Sequence, residues 1–596
     1  MTLRLLAFLC VIIPSAASAQ DLIEHSSTRL GISLNGRWRS IIDPYENGYY
    51  DYRYVPRSDG YFRNQKPQSK ADLIEYDFET SDPLHVPGDW NTQKPELFLY
   101  EGTVWYERAF DFAAAPGRRQ FLHFGAVNYD AKVYLNGEPL GSHTGGFTPF
   151  EFEVTGKLKE KDNFVVVKVD NRRMREGVPT LNTDWWNYGG ITRDVRLVDV
   201  PETFIRDYSI ALVPGSANEV SVRVQLDGPS ASNGALNVEI PEAKILKTLK
   251  ADAQGVGTVR FRASLERWEP GHPKLYAVRV ISGSDTVKDD VGFRTIETRG
   301  TELLLNGKPV FLRGISIHEE APLRGGRATG TDDVRTLLLW AKEMGCNYVR
   351  LAHYPHNEWM TREADRLGLL VWSEIPVYWT ILWENAETYR LAERQLSEMI
   401  ARDKNRASVI IWSVANETPR SAPRLEFLNR LIAKARSMDP TRLISAATEL
   451  TSTADTITLD DPLCASLDVI GANEYIGWYG GRPSDCGKKT WKSNFAKPLV
   501  ISEFGADALA GRHGAVDERF TEEYQANLYR EQLGMLSKIP FLRGMSPWIL
   551  VDFRSPRRPL PGIQDFYNRK GLISNTGERK EAFFVLKKFY DGLSAE

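Results

Sequence analysis

The stretches FLRGISIH at residues 311–318 and NYVRLAHY at residues 347–354 decide the fold of this chain. Both are apolar runs of strand length that end in polar residues. Between them, apolar side chains recur at the spacing of one helix face, at Val334, Leu337, Leu338, Ala341 and Met344. This order of strand, helix and strand predicts a βαβ unit with parallel strands.

The same alternation continues to the C-terminus and predicts a (β/α)8 barrel over residues 298–596. Six further strand candidates complete a set of eight: LLVWSEIP (369–376), VIIWSVANE (409–417), RLISAAT (442–448), DVIGANEY (468–475), LVISEFGAD (499–507) and LRGMSPWILVDF (542–553). Helical patterns occupy residues 422–438, 520–537 and 577–593, whereas the link between the fifth and sixth strands is not clearly helical. No GxGxxG motif follows a strand candidate, which argues against an open nucleotide-binding sheet.

Residues 20–297 have the two-residue period of β-strands and predict two sandwich domains. In residues 20–200 the candidates include TVWYERAFDF (103–112), and Asn-Gly at 136–137 indicates a hairpin turn. Residues 201–297 contain shorter candidates such as EVSVRVQL (219–226), and their length suits an immunoglobulin-like sandwich.

The first 19 residues have the pattern of a cleaved export signal. Arg4 supplies a positive charge, residues 5–13 an apolar stretch, and the Ala-Ser-Ala sequence at 17–19 a cleavage site before Gln20. No later segment approaches 18 consecutive apolar residues. We therefore expect an exported protein, periplasmic or secreted, without membrane insertion.

The composition narrows the class of function. The 75 Lys and Arg residues nearly balance the 78 Asp and Glu residues, which argues against nucleic-acid binding. The 15 Trp, 24 Tyr and 26 Phe residues fill β-rich cores or form the flat apolar surfaces that sugar sites need. Three cysteines follow the signal: an oxidising compartment permits a Cys464–Cys486 disulfide without requiring it, and Cys346 is expected to be buried.

Polar side chains stand at or near the ends of most barrel strand candidates. They are His318 to Glu320, Arg350, His353, Glu374, Asn416, Glu417, Asn473 to Tyr475, Glu503 and Asp552. A carboxylate that ends an apolar strand costs free energy unless it is hydrated, paired or used. Because the working residues of such barrels lie where the strands end, this convergence predicts an active site.

Two carboxylates on either side of a bond are sufficient for glycoside hydrolysis. The strongest candidates are Glu417 at the end of the fourth strand and Glu503 at the end of the seventh. Glu374 is a rival, although the following Ile-Pro indicates a turn with a structural carboxylate. Glu474 is a second rival, because it also follows an asparagine.

Several of these stretches resemble glycoside hydrolase family two, the group of β-galactosidases, β-mannosidases and β-glucuronidases. The resemblance is carried by IIWSVANE (410–417), VISEFGAD (500–507), GTVWYERAF (102–110), VYLNGEPLGSHTGGFTPF (133–150), FLRGISIHEE (311–320), NYVRLAHYPH (347–356) and NEYIGWYGG (473–481). It covers nearly the whole mature chain. It implies a jelly-roll sandwich over 20–200, an immunoglobulin-like sandwich over 201–297 and a catalytic barrel over 298–596.

The resemblance also implies a two-step covalent mechanism that retains the β configuration. Glu417 matches the acid/base and Glu503 the nucleophile, which places their carboxyl groups about 5–5.5 Å apart. Asn416 matches the residue that hydrogen-bonds the sugar 2-hydroxyl, and Tyr475 a tyrosine near the nucleophile. Arg350 would keep Glu503 ionised through its positive charge.

The sugar is indicated by Asn568-Arg569-Lys570, which resembles the Asn-x-Lys motif by which β-glucuronidases of the family hold the substrate carboxylate. Lys570 supplies a charge and Asn568 an amide N–H. The resemblance therefore implies an exo-acting β-glucuronidase that releases terminal β-D-glucuronic acid from oligosaccharides or glycosides.

Other residues are assigned to substrate binding on the same resemblance. Asp184, in TDWWNYGG (183–190), is a candidate for sugar hydroxyls; Trp548, on strand eight, is a stacking platform or a barrel-lining ring; and His353 lines the pocket. Three arginines in DFRSPRRPLPG (552–562) either extend a positive rim for an acidic oligosaccharide or decorate a loop: Arg554, Arg557 and Arg558.

Neither a metal nor a cofactor is expected. His353 and His356 flank Tyr354-Pro355, which disfavours a helix, and match pocket-lining positions rather than a ligand set. The segment 377–389 lacks the long loop that some gut bacterial β-glucuronidases place over small substrates, which favours an open mouth. A homo-oligomer is compatible with the sequence, which leaves the number of subunits open.

Three alternatives stay open. A β-galacturonidase differs in the sugar only at C4, and a β-galactosidase would leave Lys570 without a carboxylate partner. A non-catalytic carbohydrate-binding protein would not need both Glu417 and Glu503.

Overall fold

A computed structural model describes residues 22–57, 69–72 and 76–594. The expected export signal, residues 1–19, lies outside the described residues. None of the helices in the described part of the chain combines the length and apolar character needed to cross a lipid bilayer.

The first sandwich consists of two antiparallel sheets. In sheet order, the four-stranded sheet contains Gly31–Ser33, Val195–Pro201, Arg118–Phe124 and Phe150–Glu153, and the six-stranded sheet contains Pro83–Val86, Gly36–Ile42, Thr103–Phe110, Asn163–Asp170, Asp130–Leu135 and Glu138–Thr144. The two-residue period is visible in one central strand: Val165, Val167 and Val169 enter the core between the sheets, whereas Val166 packs on the outer face against Trp105.

The second sandwich is smaller and also antiparallel. Its sheets contain Phe204–Leu212, Glu219–Asp227 and Val256–Arg262 on one side, and Ile245–Lys250, Ala235–Ile240, Tyr276–Ser282 and Asp285–Val291 on the other. Val220, Val222, Val224 and Leu226 alternate into its core. The three-plus-four arrangement is that of an immunoglobulin-like sandwich.

The C-terminal region is a closed parallel barrel of eight strands, as predicted. The strands are Leu312–Ile317, Tyr348–Leu351, Leu370–Glu374, Val409–Asn416, Leu443–Thr448, Ile470–Asn473, Leu499–Glu503 and Leu542–Met545. Each predicted strand stretch contains one of them. The eighth is shorter than the predicted stretch 542–553, so Trp548 lies in the loop after the strand and not on it, which corrects that assignment.

Six helices of ten or more residues surround the barrel strands within the described residues. They are Thr331–Glu343, Glu358–Leu367, Ala386–Asp403, Ala422–Met438, Glu522–Leu536 and Glu581–Ser594. Four coincide with predicted helical patterns. Between the fifth and sixth strands the chain forms the short strands Thr451–Ser452 and Thr456–Leu459 and a 3-10 turn, which explains why that link lacks a helical pattern.

The barrel and the second sandwich are joined by buried ion pairs. Asp289 of the sandwich lies 2.8 Å from Arg362 of the barrel and also pairs with Arg406. Burial opposes ionisation of Asp289, but the two guanidinium groups outweigh it and hold the pKa of this carboxyl well below its usual range. The cysteines Cys346, Cys464 and Cys486 are buried free thiols, so the permitted disulfide is not formed.

Candidate active site

The carboxyl ends of the barrel strands bring together most of the residues predicted for the site. Glu503, the last residue of the seventh strand, accepts hydrogen bonds from the Arg350 guanidinium at 2.7 Å and from the Tyr475 hydroxyl at 2.7 Å. Arg350 is fully buried on the second strand and also donates to Asn416 Oδ1 at 2.7 Å. These charge-assisted and neutral hydrogen bonds fix the position of the Glu503 carboxylate from one side.

Glu374 is the second carboxylate on Arg350, at 2.9 Å, and also accepts a bond from the Trp372 indole at 2.8 Å. Its Oε1 lies 2.9 Å from His353 Nδ1. Burial alone would raise the pKa of Glu374, but the Arg350 charge and the His353 contact lower it to about 2. Both oxygens are bonded inside the protein, so this rival carboxylate positions Arg350 and His353.

Glu417 follows the fourth strand and faces a different environment. Its oxygens accept bonds from the Asn473 amide at 2.9 Å and from the Trp379 indole at 2.8 Å. Burial and the nearby negative charge of Glu503 raise the pKa of Glu417 to about 7. A carboxyl with this pKa is protonated below neutral pH, as a proton donor to a leaving oxygen must be.

Rings line the pocket beside these carboxylates. The His353 and Trp548 rings stack with centroids 4.7 Å apart, and Trp185 of the first sandwich contacts Tyr378 at 4.9 Å. Trp185, Tyr378 and Trp548 are buried. Because Trp185 belongs to it, the sandwich loop predicted to reach the pocket lies at the barrel mouth.

His356 does not belong to this group of rings and carboxylates. Its Nε2 donates to the carbonyl of Ala352 at 2.8 Å.

A second group of polar side chains lies around Lys570. Its ammonium is fully buried, donates to Asp507 at 2.7 Å, and lies 4.9 Å from the Tyr479 ring and 5.9 Å from the Tyr475 ring. Of its three N–H donors, Asp507 takes one, and no other acceptor in the described part of the chain bonds to it. Two donors of a buried cation are therefore available beside Tyr475, which itself contacts Glu503.

Asp184 connects the first sandwich to this group. Its carboxylate accepts bonds from Asn568 at 3.1 Å, Ser555 at 2.6 Å and Arg558 at 2.5 Å. Arg558 also donates to the Tyr479 hydroxyl at 2.9 Å. This network joins the sandwich loop to the loop after the eighth barrel strand and to Asn568, two residues before Lys570.

Sequence reasoning missed four residues of this site: Asn473 as a partner of Glu417, Trp379, Asp507 and Ser555. Asp507 carried a usable signal, since it is an acidic residue four positions after Glu503 within an apolar stretch. Trp379 carried none, because it lies in a loop whose path depends on the barrel. The catalytic and binding roles assigned to individual residues stay predictions.

Comparison with known proteins identifies the family. Residues 296–594 match the TIM barrel domain of glycosyl hydrolases family 2, and residues 32–201 match the sugar binding domain of the same family. The chain belongs to glycosyl hydrolases family 2. It is therefore a glycoside hydrolase, and the resemblance seen in its motifs is confirmed.

Similar members of the family include a β-glucuronidase of Paenibacillus borealis, 29% identical over 85% of this chain and 91% of that protein. The structure of a Bifidobacterium dentium β-glucuronidase with coumarin-3-O-glucuronide matches with a TM-score of 0.80 and 26% identity, over 95% of this chain and 97% of that one. A family 2 β-galacturonidase from Eisenbergiella tayi shares the fold, with a TM-score of 0.77 and 24% identity over 95% and 96% of the two chains.

Proposed function

We propose that the protein is an exo-acting, retaining β-glucuronidase that releases terminal β-D-glucuronic acid from oligosaccharides or glycosides. The observation that carries the proposal is the buried Lys570 ammonium with two N–H donors available, next to the buried Asn568. The similarity to β-glucuronidases over most of the chain supports it.

A buried ammonium needs acceptors for its hydrogen bonds. Asp507 balances the charge of Lys570, so the incoming carboxylate is recognised by positioned donors rather than by an uncompensated charge. Asn568 has one amide N–H on Asp184, and the other is available to the same carboxylate. A neutral sugar with a CH2OH group at C5 would satisfy these donors less well.

The mechanism follows from the two environments of the catalytic carboxyl groups. Glu503, oriented by hydrogen bonds from Arg350 and Tyr475, attacks the anomeric carbon while Glu417 donates its proton to the leaving oxygen. Glu417, now ionised, then takes a proton from a water molecule that hydrolyses the glycosyl ester on Glu503. Two inversions retain the β configuration, and the second step returns to Glu417 the proton that it gave up in the first.

The test compares kcat/KM for nitrophenyl β-glucuronide, β-galacturonide and β-galactoside. We expect the glucuronide to be preferred and Lys570→Met to lower its kcat/KM about 100-fold, the loss of charge-assisted bonds to the carboxylate. Because Lys570→Met leaves Asp507 unpaired, the double variant Lys570→Met/Asp507→Asn keeps a neutral site and should show the same loss while remaining folded.

Lys580 provides the matched control. It is also a fully buried lysine, paired with Asp552 at 2.8 Å, but its other bonds go to backbone carbonyls. Lys580→Met should lower Tm and leave the ratio among the three substrates unchanged. Preference for the galactoside would overturn the role of Lys570. Preference for the galacturonide would show that the substrate is the C4 epimer of the proposed glucuronide.

We also propose that the protein is exported, periplasmic or secreted, on the pattern of residues 1–19. N-terminal sequencing of the protein recovered from the producing cell should begin at Gln20. An intact Met1 would contradict export by this signal.

A further inference from the structure

The loop after the eighth barrel strand carries three arginines that end in different surroundings. Arg558 pairs with Asp184, and Arg554 lies over the Tyr567 ring at 4.1 Å. Arg557 lies over the Trp379 ring at 4.9 Å, is exposed, and has no ion-pair partner in the part of the chain that the structure describes. Arg554 also lacks an ion-pair partner among the described residues, but it is half-buried and its guanidinium donates to the carbonyl of Asp565. Of the three, Arg557 is the exposed cation whose guanidinium has neither an ion pair nor a hydrogen bond within the described residues, which leaves it able to bind a ligand.

Trp379 contacts both Arg557 and Glu417, the proposed proton donor. Its indole N–H donates to Glu417 Oε2 at 2.8 Å, and its backbone N–H donates to the carbonyl of Asn416 at 3.0 Å. Its φ is 54°, in the left-handed region that bulky residues rarely adopt. The two bonds hold an unfavourable conformation, which is typical of a functional position.

The reaction chemistry indicates on which side of the pocket Trp379 and Arg557 lie. The acid/base donates to the glycosidic oxygen, which is the first atom of the leaving group. A ring bonded to that acid, and a guanidinium held on the ring, therefore stand on the leaving-group side. Trp379 is half-buried and Arg557 exposed, in contrast to the buried rings of the glycone pocket.

We propose that Arg557, held in place by Trp379, binds an anionic group on the first sugar of the leaving group, either a carboxylate or a sulfate. The natural substrate is then an acidic oligosaccharide with a terminal glucuronic acid. The inference rests on the proposed glucuronidase activity. Arg557 is a specificity-determining residue, and Trp379 is a positioning residue for both Arg557 and Glu417.

The test uses three β-glucuronosyl disaccharides that differ in the second sugar, which is neutral, carboxylated or sulfated, together with nitrophenyl β-glucuronide. We expect the wild-type kcat/KM to favour one or both acidic disaccharides about tenfold, which corresponds to one charge-assisted contact. Arg557→Gln should remove this preference and leave nitrophenyl glucuronide within about twofold. The preference should shrink at high salt, since Arg557 is exposed.

Two further variants separate the roles. Trp379→Phe keeps a ring under Arg557 but deletes the N–H that favours the ionised form of Glu417, so the alkaline limb of the pH profile should move upward while the anionic preference is kept. Arg430→Gln is the matched control: Arg430 is an exposed arginine over the Tyr389 ring at 3.5 Å on an outer helix, and its loss should change no preference.

The outcomes distinguish this inference from the proposed function. Preference for the carboxylated or the sulfated disaccharide alone identifies the anion and supports the inference. Hydrolysis of nitrophenyl glucuronide without an anionic preference, or a preference that survives Arg557→Gln, overturns the inference and leaves the glucuronidase assignment standing. Failure to hydrolyse any glucuronide overturns both.

Discussion

At the residue scale, two glutamates at the ends of neighbouring barrel strands, Glu374 and Glu417, have their pKa values moved in opposite directions. Burial and the negative charge of Glu503 raise the pKa of Glu417 to about 7, and the hydrogen bonds from Asn473 and Trp379 offset this rise only in part. Glu374 is more deeply buried than Glu417, but Arg350 lies against it and its pKa falls to about 2. The neighbouring cation, rather than burial, decides which carboxyl can carry a proton at neutral pH.

This difference predicts the pH dependence of the enzyme. Because Glu417 must be protonated to donate, kcat/KM should fall as pH rises through about 7. Glu417→Gln should lower turnover of unactivated glucuronides about 1000-fold, affect activated aryl glucuronides least, and abolish the alkaline limb on the latter. The measurement is kcat/KM against pH for one substrate of each kind.

Glu474 is the control for this prediction. Burial raises its pKa to about 7 as well, but its carboxylate accepts the backbone N–H of Ile476 and does not contact the two catalytic carboxyl groups. Glu474→Gln should leave the alkaline limb in place. Two results would show that the acid/base assignment is wrong. One is loss of the alkaline limb in Glu474→Gln, and the other is an equal fall in kcat/KM for both substrates in Glu417→Gln.

At the element scale, the helix Ala422–Met438 supports the segment that carries Glu417. Ser421 caps it by accepting the N–H of Arg424 at 3.2 Å. The Arg424 side chain is buried, binds Asp461 through two bonds of 2.9 Å, and reaches Thr418, the residue after Glu417, at 2.8 Å. One side chain thus links a helix, a loop and the segment of the acid/base.

Breaking this link should destabilise the fold. Arg424→Met leaves Asp461 buried without its partner and should lower the free energy of unfolding by about 3–5 kcal/mol. The double variant Arg424→Met/Asp461→Asn should recover much of that loss, because asparagine removes the unpaired charge and keeps an acceptor for the backbone N–H of Leu463. Denaturant unfolding of the wild type, the single variants Arg424→Met and Asp461→Asn and the double variant measures the coupling, and additive losses would show that the pair does not act as a unit.

The strands and helices differ in how well local sequence patterns predict them. The eight strands were predictable because each is a short apolar run between polar segments. The helices Glu358–Leu367 and Ala386–Asp403 were not, since buried charged residues interrupt their apolar face: Arg362, Glu363 and Asp365 in the first, and Asp403 in the second. These charges are satisfied by partners far along the chain, such as Asp289 for Arg362, which no local pattern reveals.

At the scale of the whole molecule, the site depends on three domains being held together. The first sandwich supplies Asp184 and Trp185 to the barrel mouth, and the second sandwich is fixed to the barrel through Asp289. Strand ends in the sequence indicated Glu417 and Glu503. They could not indicate that Asp507 would bind Lys570, because that contact depends on where two loops meet.

The junction at Asp289 gives a prediction about stability. Asp289→Asn leaves two buried guanidinium groups short of their partner and should lower the free energy of unfolding by about 3 kcal/mol. Since the pKa of Asp289 is lower in the folded state, its contribution is present above the unfolded pKa and is lost as pH falls. The wild-type advantage over the variant should therefore shrink on acidification, as thermal unfolding at several pH values would show.

The neighbouring Asp290 is the control. It is largely exposed, with its carboxylate 4.0 Å from Arg366. Asp290→Asn should change the free energy of unfolding by less than about 0.5 kcal/mol. Equal effects of the two substitutions would contradict the role of Asp289 in joining the sandwich to the barrel.

The most direct test of the account is proton NMR of the first product formed from nitrophenyl β-glucuronide. If Glu503 forms a glycosyl ester that water then hydrolyses, the β-anomer of glucuronic acid appears first and the α-anomer follows only by mutarotation. Initial release of the α-anomer would contradict the two-step mechanism, and absence of glucuronic acid would contradict the proposed activity.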